Sequence, residues 1–357
     1  MYRNSQPSLA NSMNRRCVLK SLLCAGASSA LLASSASSGF ASKAEGEESI
    51  DKKFHNPILP GANADPEVLL SKKTGRAYVY PTSSNRGFVV YSSDNLVDWR
   101  REGLALAAKD IHWESQKFWA PSIIEKQTDD GEFRYYFYYC ANEKIGVASG
   151  DDPIGPFIDC GEIVGHDLHP KGRPGVEIDP FVFCDPQTGK NYLYWGNSYL
   201  CVAELDESMT KLKRDTIKDI TPLNFFEGTY VFFRNDRYYL TWSKNDTRDP
   251  NYQVWVATSD SPFGPFVSPD DNPVILSKRP EKGILGPGHH SFLFLPNGDN
   301  YIFYHRIIQP QAPGGWGRET CLDRFTFAPD GSIPPIEPTL EGVSTPVDLA
   351  KLVKLAQ

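Results

Sequence analysis

From Phe54 onward the chain is a succession of short runs of β-branched and aromatic residues, separated by polar turns. Five units repeat one pattern: a first strand, a turn, and a second strand rich in Tyr. Asp65-Pro66-Glu67-Val68-Leu69-Leu70 leads through Thr74-Gly75 to Ala77-Tyr78-Val79-Tyr80, and Trp119-Ala120-Pro121-Ser122-Ile123-Ile124 leads through Asp130-Gly131 to Tyr135–Tyr139. The third unit runs from Ile178-Asp179-Pro180 to Tyr192-Leu193-Tyr194-Trp195. The fourth runs from Glu227-Gly228-Thr229-Tyr230 to Tyr238-Tyr239-Leu240, and the fifth from His290-Ser291-Phe292 to Tyr301-Ile302-Phe303-Tyr304. Asp65, Ala120, Asp179, Gly228 and His290 mark the phase of the repeat. Outer strands recur too: Gly146–Ser149 with Gly155-Pro156-Phe157 matches Val254–Ser259 with Gly264-Pro265-Phe266. Units of this size with several strands each suit propeller blades, so the pattern predicts an all-β, five-bladed β-propeller. A β-sandwich would not produce five matched hairpins.

Composition agrees. Apolar residues make up 40% of the 357 and aromatics 12%, enough for a large core, and 28 Gly with 28 Pro supply the turns. The net charge of -7, without a basic stripe, excludes a nucleic-acid partner, which needs clustered cations to displace counterions. A neutral polysaccharide makes no such demand. Arg15-Arg16 precede an apolar and small-residue stretch reaching Leu32, with small-residue cleavage sites at Ala36 and Ala41. Residues 1–41 are therefore expected to be a twin-arginine-like export signal, placing the mature protein in the periplasm or outside the cell. The stretch is too short and too rich in Ser and Gly for a membrane span. Residues 42–53 read as a linker and 54–357 as the propeller. Cys140, Cys160, Cys184, Cys201 and Cys321 form no zinc pattern and are expected to be free, buried thiols.

In a propeller the innermost strands begin at one central funnel. The residues that open them here are Asp65, the Trp119 region, Asp179, Glu227 and the His289-His290 pair. Three carboxylates aimed at one point repel one another, a cost that stability alone does not justify. Hydrolysis of a glycosidic bond needs two such groups, one acid and one base or nucleophile, and a third can tune the acid.

Asn63-Ala64-Asp65-Pro66, Glu177-Ile178-Asp179-Pro180 and Phe226-Glu227-Gly228, in this order, resemble the signature of glycoside hydrolase family 43. Trp119-Ala120-Pro121 and Gly286-Pro287-Gly288-His289-His290-Ser291 add to the likeness, which covers about 54–345. The resemblance implies an inverting glycosidase with Asp65 as general base, Glu227 as general acid and Asp179 raising and orienting that acid. It implies release of xylose or arabinose from oligosaccharides or polysaccharides. Endo-arabinanase, exo-galactanase and a non-catalytic sugar-binding propeller are the alternatives on this scaffold. It also implies that Arg318 reaches the active centre and that His289 lies near a bound calcium ion or ordered water. His289 as a purely structural residue is the other reading, and His290 is the second candidate of the pair. Trp119 and Phe118 either wall a sugar ring or pack in the core. Trp99 is expected to anchor a blade core, and His305 to be packed or hydrogen-bonded. The tail from Thr339 is expected to fold back, with Leu349, Leu352, Val353 and Leu355 on one helical stripe.

Overall fold

The structure is a computed structural model that describes residues 55–269, 273–310 and 317–356. The proposed export signal and linker, 1–53, lie outside the described residues. The rest is a propeller of five antiparallel sheets. Blade one contains β1 (Ala64–Leu70), β2 (Ala77–Thr82), β3 (Gly87–Ser93) and β4 (Arg100–Ala107). Blade two contains β5 (Trp119–Gln127), β6 (Phe133–Ala141), β7 (Lys144–Gly150) and β8 (Ile158–Val164). Blade three contains β9 (Phe181–Cys184), β10 (Asn191–Trp195), β11 (Cys201–Glu204) and β12 (Lys218–Asp219). Blade four contains β13 (Glu227–Arg234), β14 (Arg237–Lys244), β15 (Gln253–Ser259) and β16 (Val274–Leu276). Blade five contains β17 (Gly288–Phe294), β18 (Asn300–Ile307) and β19 (Arg318–Phe325).

The Tyr-rich second strands explain the packing. Along β6 the pleat sends alternate side chains to opposite faces. Tyr135, Phe137 and Tyr139 join the cluster shared with blade one, while Tyr138 joins the cluster shared with blade three. Five such clusters follow one another around the ring, one at each blade-to-blade junction. The last joins blade five to blade one, with Leu293 and Phe303 against Val68 and Val79. Trp99 packs edge-on to Phe303 at 5.8 Å there.

The ring is closed by the start of the described chain. Leu59 and Thr320 exchange backbone hydrogen bonds of 3.3 and 3.2 Å, and the Asn63 N–H donates to the Arg318 carbonyl at 2.9 Å. The segment thus lies antiparallel to β19, in the place of a fourth strand. Asn56 fastens it further: its amide donates to the carbonyls of Leu322 and Thr339, and its Oδ1 accepts from the Leu322 N–H. The tail folds back as expected and ends in α1 (Leu349–Ala356), burying Leu349 and Val353. Leu355 is 73% exposed and lies off the predicted stripe. The five cysteines are free, but only Cys140, Cys201 and Cys321 are buried; Cys160 and Cys184 are exposed, contrary to expectation.

One local feature aims the inner strands at the axis. Each blade opens on a residue at positive φ: Asp65 (47°), Ala120 (41°), Asp179 (56°), Gly228 (64°) and His289 (41°). The strand register breaks at this point in four of the five blades, between Ala64 and Glu67, Trp119 and Ser122, Glu227 and Tyr230, and Gly288 and Ser291. Such bulges re-aim side chains. A non-glycine residue held there costs about 1–3 kcal/mol, strain that clusters at functional sites. The fifth phase marker is therefore His289, one residue earlier than the hydrophobic pattern suggested.

Candidate active site

The bulged ends surround a cavity of about 670 Å³ lined by Asp65, Trp119, Asp179, Glu227, His289 and Arg318. Six of the eight residues singled out in the sequence thus meet at one place. Phe118 does not: it is buried in the core between blades one and two, edge-on to Phe88. Period-two alternation on entering β5 sends Phe118 inward and leaves Trp119 at the cavity. His290 is also buried, with Nε2 2.7 Å from Thr241 Oγ1 and its ring against Phe292. Burial pushes its pKa down to about 3, so it is a neutral, packed histidine.

The three carboxylates sit in different surroundings. Burial alone would raise the pKa of Asp65. Arg318, His289 and His305 outweigh that and hold the carboxyl well below the usual range. Arg318 Nη1 donates to Asp65 Oδ1 at 2.9 Å, and the His289 and His305 Nδ1 atoms lie 3.3 and 3.1 Å from that oxygen. The Asp65 backbone N also lies 3.2 Å from His305 Nδ1. One tautomer cannot both accept from the amide and donate to the carboxylate. Arg318 donates to Thr247 Oγ1 at 2.8 Å, and His305 Nε2 lies 3.1 Å from the same oxygen. The amide can only donate, so that contact makes Nδ1 the acceptor and leaves the imidazole proton on Nε2, facing Thr247 Oγ1.

Burial dominates at Glu227 and Asp179 instead. Burial, with Asp65 adding to it, pushes Glu227 up to about 7, although hydrogen bonds from Tyr252 and Asn197 oppose the rise. The Tyr252 hydroxyl donates to Oε1 and the Asn197 amide to Oε2, both at 2.9 Å, fixing the carboxyl plane. Asp179 is pushed well up by burial and by the charges of Glu227 and Asp65. Its Oδ2 accepts from the Gly228 N–H at 2.9 Å. Both carboxyls thus keep their protons to higher pH than an ordinary carboxylate does. Gly228 is needed at this junction: its φ is +64°, and a Cβ would meet the His289 ring at 3.3 Å.

Asn197, Tyr252, Thr247 and His305 are site residues that the sequence patterns did not reveal as such. They come from loops and a later strand, far from the acidic motifs that they serve. Calcium takes six to eight oxygens, so an ion beside His289 would draw most of its shell from water. His289 offers a nitrogen already close to Asp65 and Asp179, and among the described residues no group of three or more His, Cys, Asp or Glu is arranged to hold a metal.

Comparison with known proteins agrees with this geometry. The model of glycosyl hydrolases family 43 matches residues 54–333. A β-D-galactofuranosidase of Aspergillus niger is 34% identical over 308 residues, covering 82% of this chain and 87% of that protein. A xylosidase/arabinosidase of Bacteroides ovatus is 25% identical over 346 residues, covering 78% and 97%. Among solved structures, a thermostable family-43 glycoside hydrolase is 32% identical with a TM-score of 0.68, covering 82% of this chain and 99% of its own. On sequence, fold and site alike, the chain belongs to glycoside hydrolase family 43 and is a glycosidase.

Proposed function

We propose that this enzyme removes terminal xylose or arabinose from oligosaccharides or polysaccharides with inversion. Asp65 takes a proton from water as the water oxygen attacks the anomeric carbon. Glu227 delivers its proton to the departing glycosidic oxygen as the C–O bond breaks. Asp179, whose ionisation would oppose that of Glu227, supports the acid and fixes Gly228 through the 2.9 Å hydrogen bond. One observation carries the reading: Asp65 is held ionised, chiefly by Arg318, while the neighbouring carboxyls keep their protons to higher pH. Opposed environments of this kind divide base from acid. Trp119 supplies an apolar wall for the sugar. Export rests on the Arg15-Arg16 run alone.

The test is hydrolysis of aryl β-D-xylopyranoside and α-L-arabinofuranoside, followed by proton NMR of the first-formed sugar. The inverted anomer is expected; a retained anomer would require a covalent intermediate and would overturn the role of Asp65. The 34% identity to a galactofuranosidase favours a second reading, cleavage of β-D-galactofuranosides.

A further inference from the structure

A second cavity of about 270 Å³ adjoins the active-site cavity, sharing Asn85, Trp119 and Arg318 with it. Its other walls include Ala64, Thr82, Ser83 and Ser84, from the start of β1 and the turn between β2 and β3. Ala64 directly precedes Asp65, so this space opens beside the proposed base. Two polar atoms here are buried with no hydrogen-bond partner: Ser83 Oγ and Arg318 Nε. The other arm of Arg318 is committed, through Nη1, to Asp65 and Thr247.

Sugar chemistry identifies a group that suits this space. D-Galactofuranose and L-arabinofuranose share the arrangement of their ring substituents. They differ at C4, where the hexose carries CH(OH)CH₂OH and the pentose CH₂OH. Xylopyranose carries no exocyclic carbon. The dihydroxyethyl arm has four heavy atoms, comparable to about four waters or roughly 120 Å³ of liquid. It fits the side cavity, whose walls are formed in part by the hydroxyl residues Thr82, Ser83 and Ser84.

We propose that the Ser83–Asn85 turn and Arg318 form a selectivity pocket for the exocyclic arm of a hexofuranoside, so that galactofuranosides are substrates alongside arabinofuranosides. The inference rests on the glycosidase reading of the adjoining carboxylates. Pentosides turn over with water in the pocket; the hexofuranoside replaces that water with its own hydroxyls.

The experiment compares kcat/KM for 4-nitrophenyl β-D-galactofuranoside, α-L-arabinofuranoside and β-D-xylopyranoside on the wild type and on Ser83→Leu, whose side chain fills the pocket. The ratio of galactofuranoside to arabinofuranoside is expected to fall by about tenfold or more, the scale of a filled or emptied sub-pocket. Inhibition of the wild type by galactono-1,4-lactone against arabinono-1,4-lactone gives a readout that needs no variant, and the hexonolactone is expected to bind more tightly. Arabinofuranoside turnover with no galactofuranoside turnover, an unchanged ratio in Ser83→Leu, or a tighter pentonolactone would overturn the pocket while leaving the glycosidase reading intact. Failure on all three glycosides would overturn both.

Discussion

At Glu67, two residues beyond Asp65, β1 buries a carboxyl whose Oε1 accepts from Ser122 Oγ at 3.2 Å. Burial pushes its pKa up to about 8, against hydrogen bonds from Ile123 and Ser122 that lower it. The folded protein therefore keeps a proton here that the unfolded chain loses near the ordinary Glu value. Stability from this residue is full below that value and declines as pH rises toward 8. Glu67→Gln keeps the shape without the charge. Its Tm should match the wild type at pH 5 and exceed it at pH 8, whereas a gap of the same size at both pH values would contradict the assignment. Residue by residue, the sequence revealed the three acidic positions because each stands in a short motif at the mouth of a repeat. It did not reveal Tyr252 or Asn197, which lie in ordinary polar contexts and gain meaning only from their 2.9 Å bonds to Glu227. Nor did it separate Phe118 from Trp119, because the turn into β5 decides which of two adjacent aromatics faces the core.

The inner strands and the loops that enter them set the aim of the carboxylates. Glu177 is buried two residues before Asp179, where His166, His169 and the Tyr199 hydroxyl grip its two oxygens at 2.5, 2.5 and 2.9 Å. On the same stretch the Ile178 and Val176 carbonyls accept from the N–H groups of Gly196 and Asn197. This clasp ties the loop before blade three to the loop that carries Asn197, the partner of Glu227. Glu177→Ala leaves the buried Tyr199 hydroxyl and two solvent-accessible histidines without their acceptor. Denaturant unfolding should show a loss of about 1–3 kcal/mol, the cost of leaving a buried hydroxyl unsatisfied. A loss below about 1 kcal/mol would mean that water replaces the carboxylate freely. Strand periodicity made the blades legible, but not the bulge that opens them. A bulge inserts one residue, and that single step moved the fifth marker from His290 to His289.

For the molecule as a whole, stability depends on closing a ring of five similar blades. Their number was legible from five matched hairpins. The closure was not, because residues 55–63 contain Pro57, Pro60 and Gly61 and show no strand alternation. Pairing with β19 comes instead from single bonds at Leu59, Asn63 and the Asn56 side chain. Asn56→Ala removes a buried amide that bridges the first and last parts of the fold. It should cost about 2 kcal/mol, since the Leu322 N–H is left unpaired in the interior. The loss should appear as a lower Tm in one cooperative transition. A separate early transition, with the main one unmoved, would mean that the closure frays independently of the ring.

The division of labour among Asp65, Asp179 and Glu227 is tested most directly by the pH dependence of kcat/KM for the wild type and Asp179→Asn. The alkaline limb reports the acid of the free enzyme, and activity is lost as that acid deprotonates. In the wild type the limb is expected near 7, where burial and the Asp65 charge hold Glu227. Asp179→Asn removes, at nearly constant volume, a carboxyl whose ionisation opposes that of Glu227. The limb should then move to lower pH by on the order of one unit, with activity largely lost at neutral pH and partly recovered in acid. A limb that stays in place, with activity lowered equally at every pH, would contradict the account and leave Asp179 as a residue that only positions its neighbours.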